Sequence, residues 1–158
     1  MHAALEMQWS WIQAMNGLRS ELLESLNNQD LSVTPGGSKP ALGELLVSMG
    51  DLTRAYTSSF HDFLLEWDQE PSEGGISTSV ETLQLWFSQL DSELESTLTE
   101  LTDESILRQI ERPGGGAMPV DMHLQVYNQA LFIYFGKFVV YLNAISRPMP
   151  PSLAEYIG

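Results

Sequence analysis

"NQALFIYFGKFVVYL", residues 128–142, is the stretch that decides the fold. Apart from Asn128, Gln129 and Lys137, every residue in it is apolar, aromatic or glycine. The stretch has the composition of a helix, but it lacks the polar face that a surface helix of a globular protein keeps. A helix that is apolar on all sides is usually buried on all sides. We therefore expect other parts of the protein, or a partner, to surround it.

Four segments show the three- and four-residue spacing of apolar side chains that predicts amphipathic helices. Their expected ranges are about 4–27, 38–67, 78–101 and 119–144. No segment alternates convincingly as a strand does, and the stretch between the third and fourth helices is expected to be extended or irregular. The sequence thus predicts an all-α protein, a four-helix bundle that forms a single domain over residues 1–158. The long connections leave both an up-down-up-down order and a crossover open.

In a four-helix bundle each helix keeps an outer face, so the outer face of residues 131–142 needs a cover of its own. The prediction that we favour is a homodimer packed partly through the fourth helix. One alternative is that the long loops fold over this helix. Another is that the helix binds a different protein.

The composition restricts the classes of partner. Acidic residues outnumber Lys and Arg by 21 to 7, which gives a net charge of −14. Nucleic-acid binding depends on Lys and Arg contacts to phosphate, so we expect no nucleic-acid partner and no attachment to an anionic membrane. The chain has no cysteine, which fits a reducing compartment. Residues 1–20 do not resemble a signal peptide, and residues 131–142 are too few to cross a bilayer. We expect a soluble, cytoplasmic protein.

A search for catalytic motifs gives little. The run Gly114–Gly116 lacks the Lys-Ser or Lys-Thr pair of a phosphate-binding loop and is expected to be a flexible loop. The three histidines, His2, His61 and His123, have no spacing that brings them together, and each is expected at the surface or satisfied in the core. The Glu-x-x-His motif of di-metal bundles does not occur.

Three stretches together resemble a known family. They are "KPALGELLVSMGDLTRAY" (39–56), "QVYNQALFIYFGKFVVYLNAI" (125–145) and "RPMPPSLAEYIG" (147–158). In content and order they look like the second helix, the last helix and the ending of the DinB-like superfamily of bacterial four-helix-bundle proteins. The resemblance covers essentially the whole chain. It implies a DinB-like bundle, and it favours a crossover between the helices.

Members of that family often bind a divalent metal through three histidines, one on the second helix and two, four residues apart, on the last. Some members use the metal to activate a low-molecular-weight thiol for transfer. At the matching positions this chain has Ser48, Ala130 and Tyr134, and Gly136 is followed by Lys137 instead of the usual glutamine. Alanine cannot bind a metal, and serine and tyrosine are poor ligands for zinc or nickel. The resemblance therefore implies a DinB-like protein without the three-histidine site.

A pocket could persist at the same place. Ser48 is expected to face inward, and Tyr127 and Tyr134 lie two turns apart on nearly one helix face, with Ala130 between them. With Glu44 they could line a small cavity that has a few polar groups. The alternative is solid core, with Ser48 bonded to the backbone of its own helix.

The function that follows from these expectations is a small-molecule-binding or structural module that has no cofactor and an unknown specific activity. The alternative is a thiol S-transferase or hydrolase that depends on a divalent metal such as nickel or zinc. Such an enzyme would need substitute ligands, for example Glu44, Asp51 or His123.

Overall fold

The computed structural model describes residues 1–37, 39–67, 72 and 75–157, and it has four long helices. The helices and strands in this part of the chain are α1 (Ala3–Ser25), α2 (Leu42–Asp62), α3 (Val80–Glu100), α4 (Asp103–Ile106), β1 (Gln109–Arg112), β2 (Gly116–Pro119), α5 (Val120–Ala144) and α6 (Pro151–Ile157). The long helices α1, α2, α3 and α5 confirm the predicted all-α four-helix bundle. Ser38, the expected start of the second helix, and most of the break expected over 68–78 lie outside the described residues.

The directions of the long helices follow from contacts between residues near their ends. Four such contacts are Asn28 with Val80, Pro40 with Tyr141, Ser59 with His123, and His61 with Thr97. They make α2 antiparallel to α5, α2 parallel to α3, and α1 antiparallel to α3. Both α1 and α2 pack against α3 and α5, so α1 and α2 lie at opposite corners of the bundle. The bundle therefore has a crossover order, which sequence periodicity had left open.

The second helix ends earlier than its apolar pattern predicts. It ends at Asp62 instead of near Trp67, because Phe63 adopts a left-handed conformation with φ 57°. The chain then continues extended and pairs with β1: the Glu111 N–H donates to the Phe63 carbonyl at 2.9 Å, and the Leu65 N–H donates to the Glu111 carbonyl at 2.8 Å. Leu65 lies in this extended segment and is buried, so the apolar pattern continues beyond the end of the helix.

The third helix begins one residue later than expected. The sequence predicts a capping box at Thr78 and Glu81, but Ser79 is the N-cap, and its hydroxyl accepts from the Thr82 N–H at 3.2 Å. Thr78 instead belongs to a short 3₁₀ turn, Ile76–Thr78. Thr78 and Ser79 each carry a hydroxyl that can cap a helix, so the sequence pattern alone does not decide which of them is the N-cap.

A β-hairpin occupies the stretch that the sequence analysis left without strands. Strands β1 and β2 pair antiparallel, and the Gly115 N–H donates to the Arg112 carbonyl at 3.2 Å across the turn. Gly114 and Gly115 have φ values of 92° and 84°. Pro113 followed by a residue with positive φ is the usual combination in a type II turn. The glycine run thus forms the turn of a hairpin, where the sequence predicts a loop.

The outer face of α5 is uncovered in the single chain. Ile133 is 61% exposed and Val140 is 55% exposed, and Met122 and Phe132 are also exposed. The alternative in which loops cover this face is therefore wrong within the described part of the chain. No described helix is long and apolar enough to cross a membrane.

Candidate functional site

Four hydrogen bonds connect α5 to α2 and to the residues just before α2. They join the Tyr141 hydroxyl to the Pro40 carbonyl at 2.6 Å, Tyr134 to Ser48 at 2.7 Å, Tyr127 to Thr53 at 2.9 Å, and His123 to Ser59 at 2.9 Å. The three tyrosines recur every seven residues. Seven residues are nearly two helical turns, so all three side chains point toward α2. We call this set of contacts the α2–α5 seam.

Two of the three positions at which the resemblance predicts metal ligands meet in this seam. The Ser48 Oγ and the Tyr134 hydroxyl lie 2.7 Å apart. Ser48 is exposed, so the expectation that it faces inward was wrong, and its hydroxyl bonds across the seam. Ala130, the third position, is half-buried and carries no polar group. The Lys137 ammonium lies 4.5 Å from the centre of the Tyr134 ring, a cation–π contact.

A shallow cleft of about 230 Å³ lies beside this hydroxyl pair. Its lining includes Ser48, Tyr134, Asp51, Arg54 and Trp67. The Asp51 carboxylate accepts hydrogen bonds from Arg54 at 2.9 Å and from the Ser72 hydroxyl at 2.6 Å. The cleft therefore combines two aromatic side chains, two hydroxyls and an ion pair within reach of solvent.

The two further residues proposed from the sequence to line this pocket lie elsewhere. Tyr127 is fully buried and bonds to Thr53, and burial raises its pKa to about 12. Glu44 lies in the first turn of α2, where its carboxylate accepts from the Ala41 N–H at 2.7 Å. It borders a separate depression near Ser77. Tyr127 faces α2 as its spacing to Tyr134 predicts, but at a different level of the seam.

His123 is a satisfied core histidine whose tautomer follows from its partners. The Ser59 hydroxyl donates to the Tyr56 carbonyl at 2.6 Å, so Ser59 accepts from the His123 Nε2–H at 2.9 Å. The His123 Nδ1 then accepts from Arg112 at 3.3 Å. Burial, and next the charge of Arg112, lower the pKa of His123 to about 4. Both ring nitrogens are used, so neither is free to bind a metal.

The substitute ligands considered for a metal enzyme do not come together. Glu44 caps α2, Asp51 faces Arg54, and His123 is enclosed near the opposite end of the seam. In the described part of the chain, no three His, Asp or Glu side chains are grouped so that they could hold a metal ion.

A buried ion pair between α1 and α3 was missed from the sequence. The Arg19 side chain is 1% exposed, pairs with Asp91, and lies 4.2 Å from the centre of the Phe87 ring. Burial raises the pKa of Asp91, and the charge of Arg19 opposes this. No gap in the apolar spacing marks it: Leu18 continues the pattern from Met15 to Leu22, and Arg19 is buried beside Leu18.

The fold can be compared with solved structures. A crystal structure of a DinB-like protein, YjoA from Bacillus subtilis, matches with a TM-score of 0.69 and 16% sequence identity, over 95% of this chain and 96% of that chain. The chain thus has a DinB-like fold, as the sequence predicts. No protein-family model matches the sequence, and a search of curated proteins likewise gives no match.

Proposed function

We propose that this protein, which has a DinB-like fold, acts as a binding module without the three-histidine metal site. The observation that carries the proposal is the 2.7 Å contact between Ser48 and Tyr134, at two of the three positions where the resemblance places ligands. Each hydroxyl already has the other as a partner. Neutral alcohols and phenols compete poorly with imidazole for zinc or nickel, and Ala130 offers nothing.

The cleft beside this pair is the candidate site for a small ligand. Its volume of about 230 Å³ lies below the usual range for drug-sized molecules, so it suits a compact one. Trp67 supplies an exposed ring, and Asp51 and the two hydroxyls supply polar groups that could orient a ligand. In this proposal the position of the metal is taken by protein hydroxyls, and binding replaces metal chemistry.

The direct test is elemental analysis of protein purified without a metal-affinity tag. We expect far less than one equivalent of nickel, zinc, manganese or iron per chain. A tightly held, stoichiometric metal would contradict the proposal. It would favour the alternative enzyme, a metal-dependent S-transferase or hydrolase with non-histidine ligands.

A gain-of-function variant tests whether these positions match the family's ligands. The triple variant Ser48→His, Ala130→His and Tyr134→His should bind zinc, because histidines four apart on α5 would share a face with one on α2. At zinc concentrations a hundredfold above its dissociation constant, the metal should add about 2.7 kcal/mol to the free energy of unfolding. The single variant Tyr134→His is the control and should gain little. If the triple variant binds no zinc, the positions do not correspond.

A second proposal is that the chain forms a homodimer through the outer face of α5. Its support is the exposure of Ile133 and Val140 on a chain whose net charge is −14. Contiguous exposed apolar side chains on a soluble domain usually mark an interface. Two copies of charge −14 repel each other, so association should strengthen with ionic strength.

Sedimentation equilibrium at low and high salt measures this association. Ile133→Asp should shift the chain toward monomer. Leu85→Asp is the matched control, because Leu85 is 63% exposed on α3 and should leave the association unchanged. A wild-type monomer at micromolar concentration in high salt would contradict the homodimer and favour a different protein partner for this face.

A further inference from the structure

A second groove lies between α1 and α5. It has a volume of about 320 Å³, and its apolar wall is formed by Met7 and Trp11 from α1 and Phe132 from α5. Asn128 and three glutamines provide the rest of the described lining. The volume is at the lower limit for small-molecule sites, enough for one or two rings.

The Asn128 side chain in this groove carries a buried acceptor, Oδ1, that has no partner in the described part of the chain. It is 7% exposed, and its Oδ1 is buried and accepts no hydrogen bond in the described part of the chain. An unpaired buried polar atom costs about 1–3 kcal/mol, so a native protein rarely keeps one without reason. The terminal torsion of asparagine is broad, so the amide can turn either its oxygen or its nitrogen toward the groove.

One aromatic wall of the groove, Trp11, contacts a second ring in the single chain. Trp11 makes an edge-on contact with Tyr156 of α6, with ring centres 6.5 Å apart. Phe132 stands on the opposite helix, so the two rings border the groove from both sides. Because Trp11 already has this contact, it loses less freedom than an isolated ring when a flat molecule enters.

The groove is uncharged although the protein is strongly acidic. The chain has 21 acidic residues, yet the described lining contains no Asp, Glu, Lys or Arg. Entry of a charged ligand would remove its hydration without providing an opposite charge, which is unfavourable.

We propose that this groove binds a small, flat, uncharged molecule whose edge carries an amide-like donor and acceptor. Its ring would lie between Trp11 and Phe132, and its edge would pair with the Asn128 amide. This site is separate from the Ser48–Tyr134 cleft, and it does not depend on the function proposed there.

Benzamide and benzoate provide a matched pair of probes, because they share a ring and differ in amide against carboxylate. Titration is followed by the ¹H–¹⁵N NMR signals of the Asn128 side-chain amide and the Trp11 indole. We expect saturable shifts with benzamide. Benzoate should bind at least about tenfold more weakly, because it lacks the amide donor, and one hydrogen bond between neutral groups corresponds to about that factor.

Variants separate the amide contact from the rings. Asn128→Leu should fold at least as stably as the wild type and bind benzamide about tenfold more weakly. Phe132→Leu should also weaken benzamide binding, although the Asn128 amide is unchanged. Leu85→Ala, on α3 and outside the lining, is the control and should change nothing. Equal binding of benzoate, or unchanged binding by both groove variants, would overturn the proposal. So would shifts of the two signals with protein concentration alone, which would mean that a second copy fills the groove.

Discussion

Helix α2 packs against two neighbours in two different ways. On one side lie α3 and the 3₁₀ turn Ile76–Thr78 just before it, and we call this contact the α2–α3 seam. Two glycines allow close approach there: a Cβ on Gly43 would lie 1.9 Å from the carbonyl oxygen of Ser77 in the turn, and one on Gly50 would lie 2.2 Å from the Trp86 ring of α3. Against α5, by contrast, the contact is a row of hydrogen bonds between side chains, such as that of Ser48 with Tyr134. The α2–α3 seam is restricted by the lack of space for a Cβ, whereas the α2–α5 seam depends on hydrogen-bonded pairs of side chains.

The difference shows where this fold can change its chemistry. A seam whose glycines leave no room for a Cβ accepts no added atom, whereas a polar pair can be replaced by another pair of similar size. Two of the three positions at which the resemblance predicts metal ligands, Ser48 and Tyr134, lie on the polar seam. A DinB-like bundle can therefore carry Ser48 and Tyr134 there without disturbing the packing of α2 on α3.

The largest effect should come from adding one methyl group to the α2–α3 seam. Gly43→Ala should lower the free energy of unfolding by about 3 kcal/mol, because the new Cβ overlaps the backbone of Ser77, which cannot turn away as a side chain could. The measurement is the midpoint of urea unfolding.

The control for this variant is Gly17→Ala. Gly17 is exposed within α1, and a Cβ there would meet no described atom within 4 Å. Because alanine is the better helix former, this variant should gain about 0.5–1 kcal/mol. Equal stability of Gly43→Ala and the wild type would show that the 3₁₀ turn around Ser77 moves easily, and that volume does not fix this seam.

The next prediction concerns the pH dependence of stability, and it involves His123 in the α2–α5 seam. The pKa of His123 is about 4 in the folded protein and 6.5 in an unfolded chain, because burial and then Arg112 disfavour the charged ring. Between these values the unfolded state binds a proton and the folded state does not. Stability should therefore fall as the pH drops from 7 toward 4, by at most about 1.4 kcal/mol per unit.

His123→Gln keeps a polar side chain and removes this titration. Urea unfolding at pH 7 and pH 5 should show that the wild type loses about 1–2 kcal/mol more than the variant over this interval. Changes from carboxylates occur in both proteins and cancel in the difference. If the two proteins lose the same amount, His123 is not held neutral, and its assigned hydrogen bonds to Ser59 and Arg112 are wrong.

The sequence was sufficient for the bundle because long helices repeat their apolar spacing over many turns. It was insufficient where the pattern is short or where tertiary contacts decide. Strands β1 and β2 span four residues each, too few to show alternation, although Pro113-Gly114 was a turn signal. The end of α2 could not be read from the apolar pattern, because the pattern continues to Trp67. Leu65 lies in the extended segment after the helix and is nevertheless buried.

The site was predictable in part. The resemblance and the four-residue spacing placed Ser48 and Tyr134 at matching positions, and the structure brings them together. Spacing on a helix gives the face of a residue but not its depth along the seam, so Tyr127 and Glu44 were assigned to a pocket that they do not line. The glycine contacts of α2 with α3 depend on a distant segment, which local sequence does not reveal.

The smallest predicted effect comes from comparing two hydrogen bonds of the α2–α5 seam, the buried one between Tyr127 and Thr53 and the exposed one between Tyr134 and Ser48. The Thr53 hydroxyl donates to the Met49 carbonyl at 3.1 Å, so the Tyr127 hydroxyl donates to Thr53 at 2.9 Å. Tyr127→Phe leaves the buried Thr53 oxygen without a donor and should cost about 1–2 kcal/mol. Tyr134→Phe should change stability by no more than about 0.5 kcal/mol, because water can replace its hydroxyl at the exposed Ser48.

Urea unfolding of the two variants measures this difference, and the result bears on the proposed site. A small cost at Tyr134 means that water reaches the Ser48–Tyr134 pair, so a ligand in the cleft could reach it as well. Equal costs for the two variants would mean that the pair is shielded like Thr53 and Tyr127. The seam would then be uniform along its length, and the cleft would be only a surface depression beside a structural hydrogen bond.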